Sequence, residues 1–212
     1  MKQERGQGYF DRWAPSYDRS VCQRLIFEPV HDAALNAFSG VSAPPHDVLD
    51  VGCGTGRLLE SVALRWGETR LTGIDLSEAM ITEARRKHEG DARFTFKEGT
   101  ASALPLESAS IDAVFSTMSF HHWGDQASGI CEVARVLRPS GLFILADVDA
   151  PLLFLLRPIL NWADRANFQG PQAIQRFLEQ AALTVVMHRR LWCLSRVQLF
   201  VARKDQRLGW RA

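Results

Sequence analysis

The chain has 212 residues, of which 46% are hydrophobic and 23% charged; that is enough for one sizeable core and excludes a disordered or fibrous chain. A formal net charge of +1 supplies none of the basic excess that marks an obligate nucleic-acid partner, so none is expected. Cys22, Cys53, Cys131 and Cys193 are widely spaced with no C-x-x-C pair, which argues against a zinc cage or a disulfide framework and for reduced thiols in the cytoplasm.

The amino terminus opens polar, with Met1-Lys2-Gln3-Glu4-Arg5 and no apolar signal core behind it. Residues 1–45 read as a helical cap. Tyr9, Phe10, Trp13 and Tyr17 recur at helical spacing with Pro15 as a break, and Leu25–Phe38 carries an apolar stripe that ends before Pro44-Pro45. Strands and helices then alternate over 46–149. Strands are expected at Asp47–Val51, Arg70–Asp75, Ala92–Lys97, Ile111–Ser116 and Leu142–Val148. Helices fall between them at Thr55–Trp66, from the N-cap Ser77 to His88, and at Gln126–Leu137, the last stopped by Arg138-Pro139-Ser140-Gly141. Residues 150–170 form an apolar insertion. Its longest apolar run, Pro151–Trp162, is interrupted by Arg157 and is shorter than the ~20 residues of a spanning helix, so no transmembrane segment is expected. A helix at Gln172–Ala182 and two closely linked strands, Thr184–Leu191 and Val197–Arg203, complete the pattern before a polar tail at 204–212. The expected fold is α/β: a Rossmann-like, doubly wound, seven-stranded sheet, mostly parallel with an antiparallel edge hairpin, helices on both faces and an N-terminal helical cap, all within one domain.

The chemistry concentrates at Asp50-Val51-Gly52-Cys53-Gly54-Thr55-Gly56. Glycines let a backbone turn tightly from strand to helix and approach a ligand closely. In open parallel sheets, ligands bind outside the carboxyl ends of the strands. The dinucleotide fingerprint is G-x-G-x-x-G; here the third glycine comes one residue early and Asp50 stands beside the loop. An acid there disfavours a phosphate and favours a ligand carrying an ammonium or sulfonium, which points to S-adenosylmethionine (SAM), with S-adenosylhomocysteine as product. Asp75 ends the second strand, 19 positions after Gly56, where a carboxylate can accept from ribose hydroxyls. Asp75 suits NAD as well, so it does not choose the cofactor.

Further blocks follow in order: Phe10-Asp11-Arg12-Trp13-Ala14-Pro15-Ser16-Tyr17-Asp18, Gly73-Ile74-Asp75-Leu76-Ser77, Ala103-Leu104-Pro105-Leu106, Ser110-Ile111-Asp112-Ala113-Val114, Phe120-His121-His122-Trp123 and Glu132–Gly141. With the glycine loop, these make the chain resemble, from about Tyr9 to Arg203, the class I SAM-dependent methyltransferases of the ubiquinone/menaquinone-biosynthesis branch. The resemblance implies that Asp50, Gly52, Cys53, Gly54 and Gly56 shape the methionine side of the cofactor site and that Asp75 holds the ribose. Leu76 would flank the adenine, and Thr100 and Ala101 would lie at its edge. Many relatives carry an acid at the position of Thr100, whose neutral hydroxyl accepts more weakly. Tyr17 resembles a cap position over the methionine end, or packs the cap. Ser116 through His121 would line the methyl-transfer site.

His121 or His122 could take a substrate proton; alternatively one packs or caps a helix and the other is solvated. Adjacent side chains on an extended segment point opposite ways, so this pair is not expected to hold a metal, and none is expected in the protein. Asp147, at the end of the fifth strand, is a similar acid–base candidate or a loop acid. Phe154, Trp162 and Phe168 of the insertion are read as a lid selecting a small hydrophobic or aromatic acceptor. A dimer contact, an ordinary core helix or shallow membrane contact are the other readings of that insertion. The function expected is methyl transfer to a small molecule by a monomer or homodimer. A non-catalytic SAM-binding scaffold and an NAD-dependent oxidoreductase are the alternatives.

Overall fold

The structure, a computed structural model, describes residues 23–148, 167–192 and 196–206. Tyr17, Phe154 and Trp162 lie outside the described residues. A π-helical turn, Gln23–Phe27, leads into α1 (Glu28–Ser39), where Pro29 occupies the first turn and its missing N–H costs nothing. The core then runs β1 (Asp47–Val51), α2 (Arg57–Arg65), β2 (Arg70–Asp75), α3 (Glu78–Lys87), β3 (Phe94–Glu98), β4 (Ile111–Thr117), α4 (Gln126–Val136) and β5 (Leu137–Val148). It closes with α5 (Pro171–Gln180), β6 (Leu183–Trp192) and β7 (Arg196–Lys204). No helix among the described residues is long and apolar enough to cross a membrane.

The seven strands form one sheet in the order β3-β2-β1-β4-β5-β7-β6. The first five are mutually parallel, and β7 runs antiparallel to both β5 and β6. All five β1 residues are buried, as suits a strand covered on both faces. Alternate strand residues feed two cores. Val48, Phe115, Ile144 and Val201 pack with Ala34, Leu59, Val62 and Ile81 from α1, α2 and α3. Leu49, Val114, Phe143 and Phe200 pack with Ile130, Val133, Ile174 and Leu178 from α4 and α5. This is the doubly wound arrangement expected from the sequence, with the hairpin β6–β7 at one edge.

Ser77 caps α3, its Oγ accepting from the Met80 N–H at 3.2 Å. Ser77→Ala should lower stability by about 1 kcal/mol, read as a shift in the urea midpoint; an unchanged midpoint would show that the cap contributes nothing.

One element departs from expectation. Arg138–Gly141, read as a loop that stops α4, lies inside β5, which begins at Leu137 opposite Ile111. The register slips between that pair and Ala113↔Leu142, so the intervening residues bulge out, with Ser140 at φ 66°. The cause is long-range charge pairing. Arg138 Nη1 reaches Asp112 Oδ1 at 2.6 Å and Asp47 Oδ2 at 2.9 Å, while Asp47 also pairs with Arg70. These paired charges line a cavity of about 430 Å³ at the amino ends of the strands, the end of the sheet opposite the glycine loop.

Candidate functional site

At the carboxyl end of β1 the chain turns through Gly52, Gly54 and Gly56, with φ of 80°, 52° and 85°. These left-handed conformations disfavour residues with a Cβ. Gly52 is the most constrained: a Cβ there would lie 2.3 Å from Ser119 Oγ. The loop is pinned to β2 by backbone bonds, with Gly52 N–H and Cys53 N–H donating to Ile74 O at 2.7 and 3.1 Å. Gly54 N–H donates to Asp75 Oδ2 at 2.8 Å, and Ser77 N–H donates to Asp75 Oδ1 at 2.9 Å. Asp75 therefore joins the glycine loop to the start of α3.

Asp50 is 2% exposed. Its Oδ1 is buried and finds no hydrogen-bond partner among the described residues. Burial, reinforced by the neighbouring Asp75 charge, pushes its carboxyl up to about 8. Such a group demands a cationic or hydrogen-donating ligand. Burial together with Asp75 and Asp50 likewise pushes the Cys53 thiol up, away from the thiolate form, and its side chain belongs to the core beneath the loop.

The second wall comes from the ends of β4 and β5. Ser116 is fully buried and its Oγ lies 2.9 Å from Ser119 Oγ, which in turn donates to Val51 O at 2.8 Å. Between them, Met118 takes φ 55°, a strained conformation for a non-glycine residue. The next turn, Phe120–His122, is a single 3-10 turn. Because it is not extended, His121 and His122 do not point opposite ways; their ring centroids are 4.0 Å apart. No group of three potential metal ligands occurs among the described residues. His121 and Asp147, both 3% exposed, are paired: the His121 N–H donates to Oδ2 at 2.7 Å, and Nδ1 lies 2.6 Å from Oδ1. Burial, then the His121 ring, push His122 down to about 2. Phe168 stacks on His121 with centroids 4.9 Å apart.

Leu76, Thr100 and Ala101 are half-buried beyond the ends of β2 and β3. Thr100 Oγ1 sits 3.2 Å from Ser102 Oγ. The structure thus gathers Asp50, the glycines, Asp75, Ser116, His121 and Asp147 at one end of the sheet. Sequence reasoning singled out neither Ser119 nor Gln126. Ser119 braces the glycine loop, and the buried Gln126 Nε2 bridges Phe120 O and Asn167 O at 2.9 and 2.8 Å. Ser119 is a small loop residue and Gln126 is the first residue of α4, and neither carries a periodic signal to mark it.

A family model described as a methyltransferase domain matches residues 49–145, from β1 through the glycine loop, Asp75 and the His121 turn into β5. The malonyl-[acyl-carrier protein] O-methyltransferase of Hahella chejuensis is 35% identical over 144 residues, covering 67% of this chain and 50% of that protein. The demethylmenaquinone methyltransferase of Deinococcus radiodurans is 31% identical over 156 residues, covering 71% of this chain and 64% of that protein. The chain belongs to the class I SAM-dependent methyltransferases. It spans about half the length of several of the curated relatives it matches. Among solved structures, a methyltransferase in complex with the Trm112 activator of Haloferax volcanii superposes with a TM-score of 0.78 at 21% identity. It covers 92% of this chain and 97% of that one, a likeness of fold.

The residues present fit the family's cofactor. SAM brings an ammonium and a sulfonium to a loop beside the uncompensated Asp50 Oδ1, and three positive-φ glycines keep the backbone open to it. Neither the family match nor the site favours the NAD or scaffold reading.

Proposed function

We propose that this methyltransferase domain moves a methyl group from SAM to a small-molecule acceptor. The observation that carries the reading is the buried Asp50 Oδ1, without a hydrogen-bond partner among the described residues, beside the glycine loop. In it, Asp50 receives the ligand's ammonium and the backbone of Gly52–Gly56 lies along the methionine portion. Asp75, whose oxygens accept the N–H groups of Gly54 and Ser77, is an acceptor placed for ribose hydroxyls. Leu76, Thr100 and Ala101 border the adenine, and Ser116 supports the wall nearest the methyl group. Bound SAM supplies an electrophilic methyl carbon; the protein contributes alignment of the acceptor with it and exclusion of water.

The relatives' names give different acceptors, a malonyl-[acyl-carrier protein] and a demethylmenaquinone, so family membership alone does not choose one. Phe168 beside His121 and the apolar 150–170 sequence support a hydrophobic or aromatic acceptor. Calorimetry should show binding of SAM and S-adenosylhomocysteine and none of NAD, and labelled methyl should pass from SAM into a metabolite extract. Binding of NAD alone would overturn the reading. Asp75→Ala should weaken SAM by roughly 1–3 kcal/mol through the lost carboxylate hydrogen bonds; unchanged affinity would remove Asp75 from the ribose site.

A further inference from the structure

We propose that Arg190 selects an anionic acceptor: its guanidinium holds a carboxylate or phosphate group that the acceptor carries apart from the atom to be methylated. The inference rests on the methyl-transfer reading above and adds the acceptor's chemical class. It starts from the register of the last three strands. Asp147 on β5 lies opposite Gln198 on β7, and Gln198 lies opposite Arg190 on β6. Residues directly opposite one another share a face of the sheet. The side chains agree. Gln198 Oε1 lies 2.7 Å from His188 Nε2, and His188 stacks on Phe200 with centroids 4.1 Å apart. Phe200 belongs to the core that packs with α4 and α5. The alternate residues Met187, Leu191, Val197 and Leu199 pack into the core on the α1 side.

Arg190 therefore stands on the face that carries Asp147, whose Oδ2 accepts the His121 N–H at 2.7 Å. Two strand spacings, about 10 Å, separate the two backbones. Their row lies one residue before Val148, the last residue of β5. This is the end of the sheet at which the glycine loop and the Ser116–His121 wall sit.

The charge of Arg190 is available. The residue is exposed, and no ion pair or side-chain hydrogen bond ties its guanidinium to another described residue. Arg57, Arg70, Arg93, Arg135 and Arg138, by contrast, each hold a carboxylate. Arg196 opens β7 on the same face, diagonal to Arg190. Two cations placed as diagonal neighbours favour an anion between them. A guanidinium is charged at every working pH, and its planar fork matches the paired oxygens of a carboxylate or phosphate. An acceptor that meets Phe168 beside His121 and Arg190 at its far end is amphipathic, apolar at one end and anionic at the other. Arg189 has a different task. It lies on the opposite face, between Met187 and Leu191, where a charge on an edge strand blocks pairing with another sheet.

The test uses the full chain saturated with S-adenosylhomocysteine. Calorimetry measures naphthoate and naphthyl phosphate against the neutral naphthylmethanol. At least one anion should bind about 10–100-fold tighter than the alcohol, and added salt should narrow the difference. Arg190→Gln should abolish the difference while S-adenosylhomocysteine affinity and the urea midpoint stay as they were. Arg190→Lys, which keeps the charge without the fork, should retain part of it. Arg189→Gln should leave it whole, which separates acceptor recognition from edge protection. Labelled products formed from SAM in a metabolite extract should be retained by an anion exchanger. Equal binding of anions and alcohol, or binding of none of the three, would overturn the proposal. So would a preference that survives Arg190→Gln, an equal loss in Arg189→Gln, or labelled products that all pass the exchanger. Failure of the unmodified protein to bind S-adenosylhomocysteine would instead remove the reading beneath it.

Discussion

SAM binding should release close to one proton at neutral pH, and its affinity should climb with pH until it levels off near pH 8. The proton is that of Asp50. Burial and the Asp75 charge hold its carboxyl at about 8 before cofactor binds, so at neutral pH it is mostly protonated. A cation placed at Oδ1 stabilises the ionised form and lowers its pKa, so binding expels the proton across the window between the bound and free values. Stability runs the other way. The folded-state pKa lies above the ordinary aspartate value of 3.8. The contribution of Asp50 to stability is therefore greatest below that value and is lost progressively as pH rises to about 8. Asp50→Asn should make the stability of the protein without cofactor less sensitive to pH across that window, weaken SAM by about 2–5 kcal/mol, and flatten the pH dependence of binding. Titrations in two buffers of different ionisation heat, with urea unfolding across pH, measure both trends. Heats independent of the buffer at neutral pH would mean that Asp50 is already ionised or does not meet the cation.

Gly52→Ala should cost both cofactor binding and stability. At φ 80°, alanine pays about 1–2 kcal/mol for the left-handed backbone. Its Cβ also falls 2.3 Å from Ser119 Oγ and 2.4 Å from Ser119 Cβ. Ser119 cannot step aside freely, being bonded to Val51 O and paired with Ser116, so overpacking adds about 1–3 kcal/mol. Either the glycine loop or the His121 turn must shift, and SAM affinity should fall by at least tenfold. Ser119→Gly in the Gly52→Ala background removes the clash but not the backbone cost, and should recover part of the stability. Wild-type affinity in Gly52→Ala would show that the loop backbone does not approach the ligand.

The sheet was largely legible because its signals are local. Val48-Leu49-Asp50-Val51 runs into spaced glycines, Ser77 precedes a helix with its oxygen on Met80 N–H, and Val197–Ala202, apolar apart from Gln198, is buried throughout in β7. The start of β5 was not legible. Arg138-Pro139-Ser140-Gly141 has the composition of a loop, and only Asp112 and Asp47, 26 and 91 positions away along the chain, draw Arg138 into the strand. The histidine pair shows the same limit. Its sequence neighbours suggest an extended segment, whereas the observed turn sets the two rings side by side.

The residues alone determined the order of strands and helices, the glycine loop and the two acids that flank it. Periodicity and glycine spacing act over a few positions, and a linear chain displays them directly. Which polar groups lose water and meet one another is a property of the packed state. Only the tertiary structure decided that Asp50 Oδ1 is buried without a partner among the described residues and that Ser119 seals the loop against β1. It alone decided that Asp147, 26 positions from His121, lies within hydrogen-bond distance of that ring.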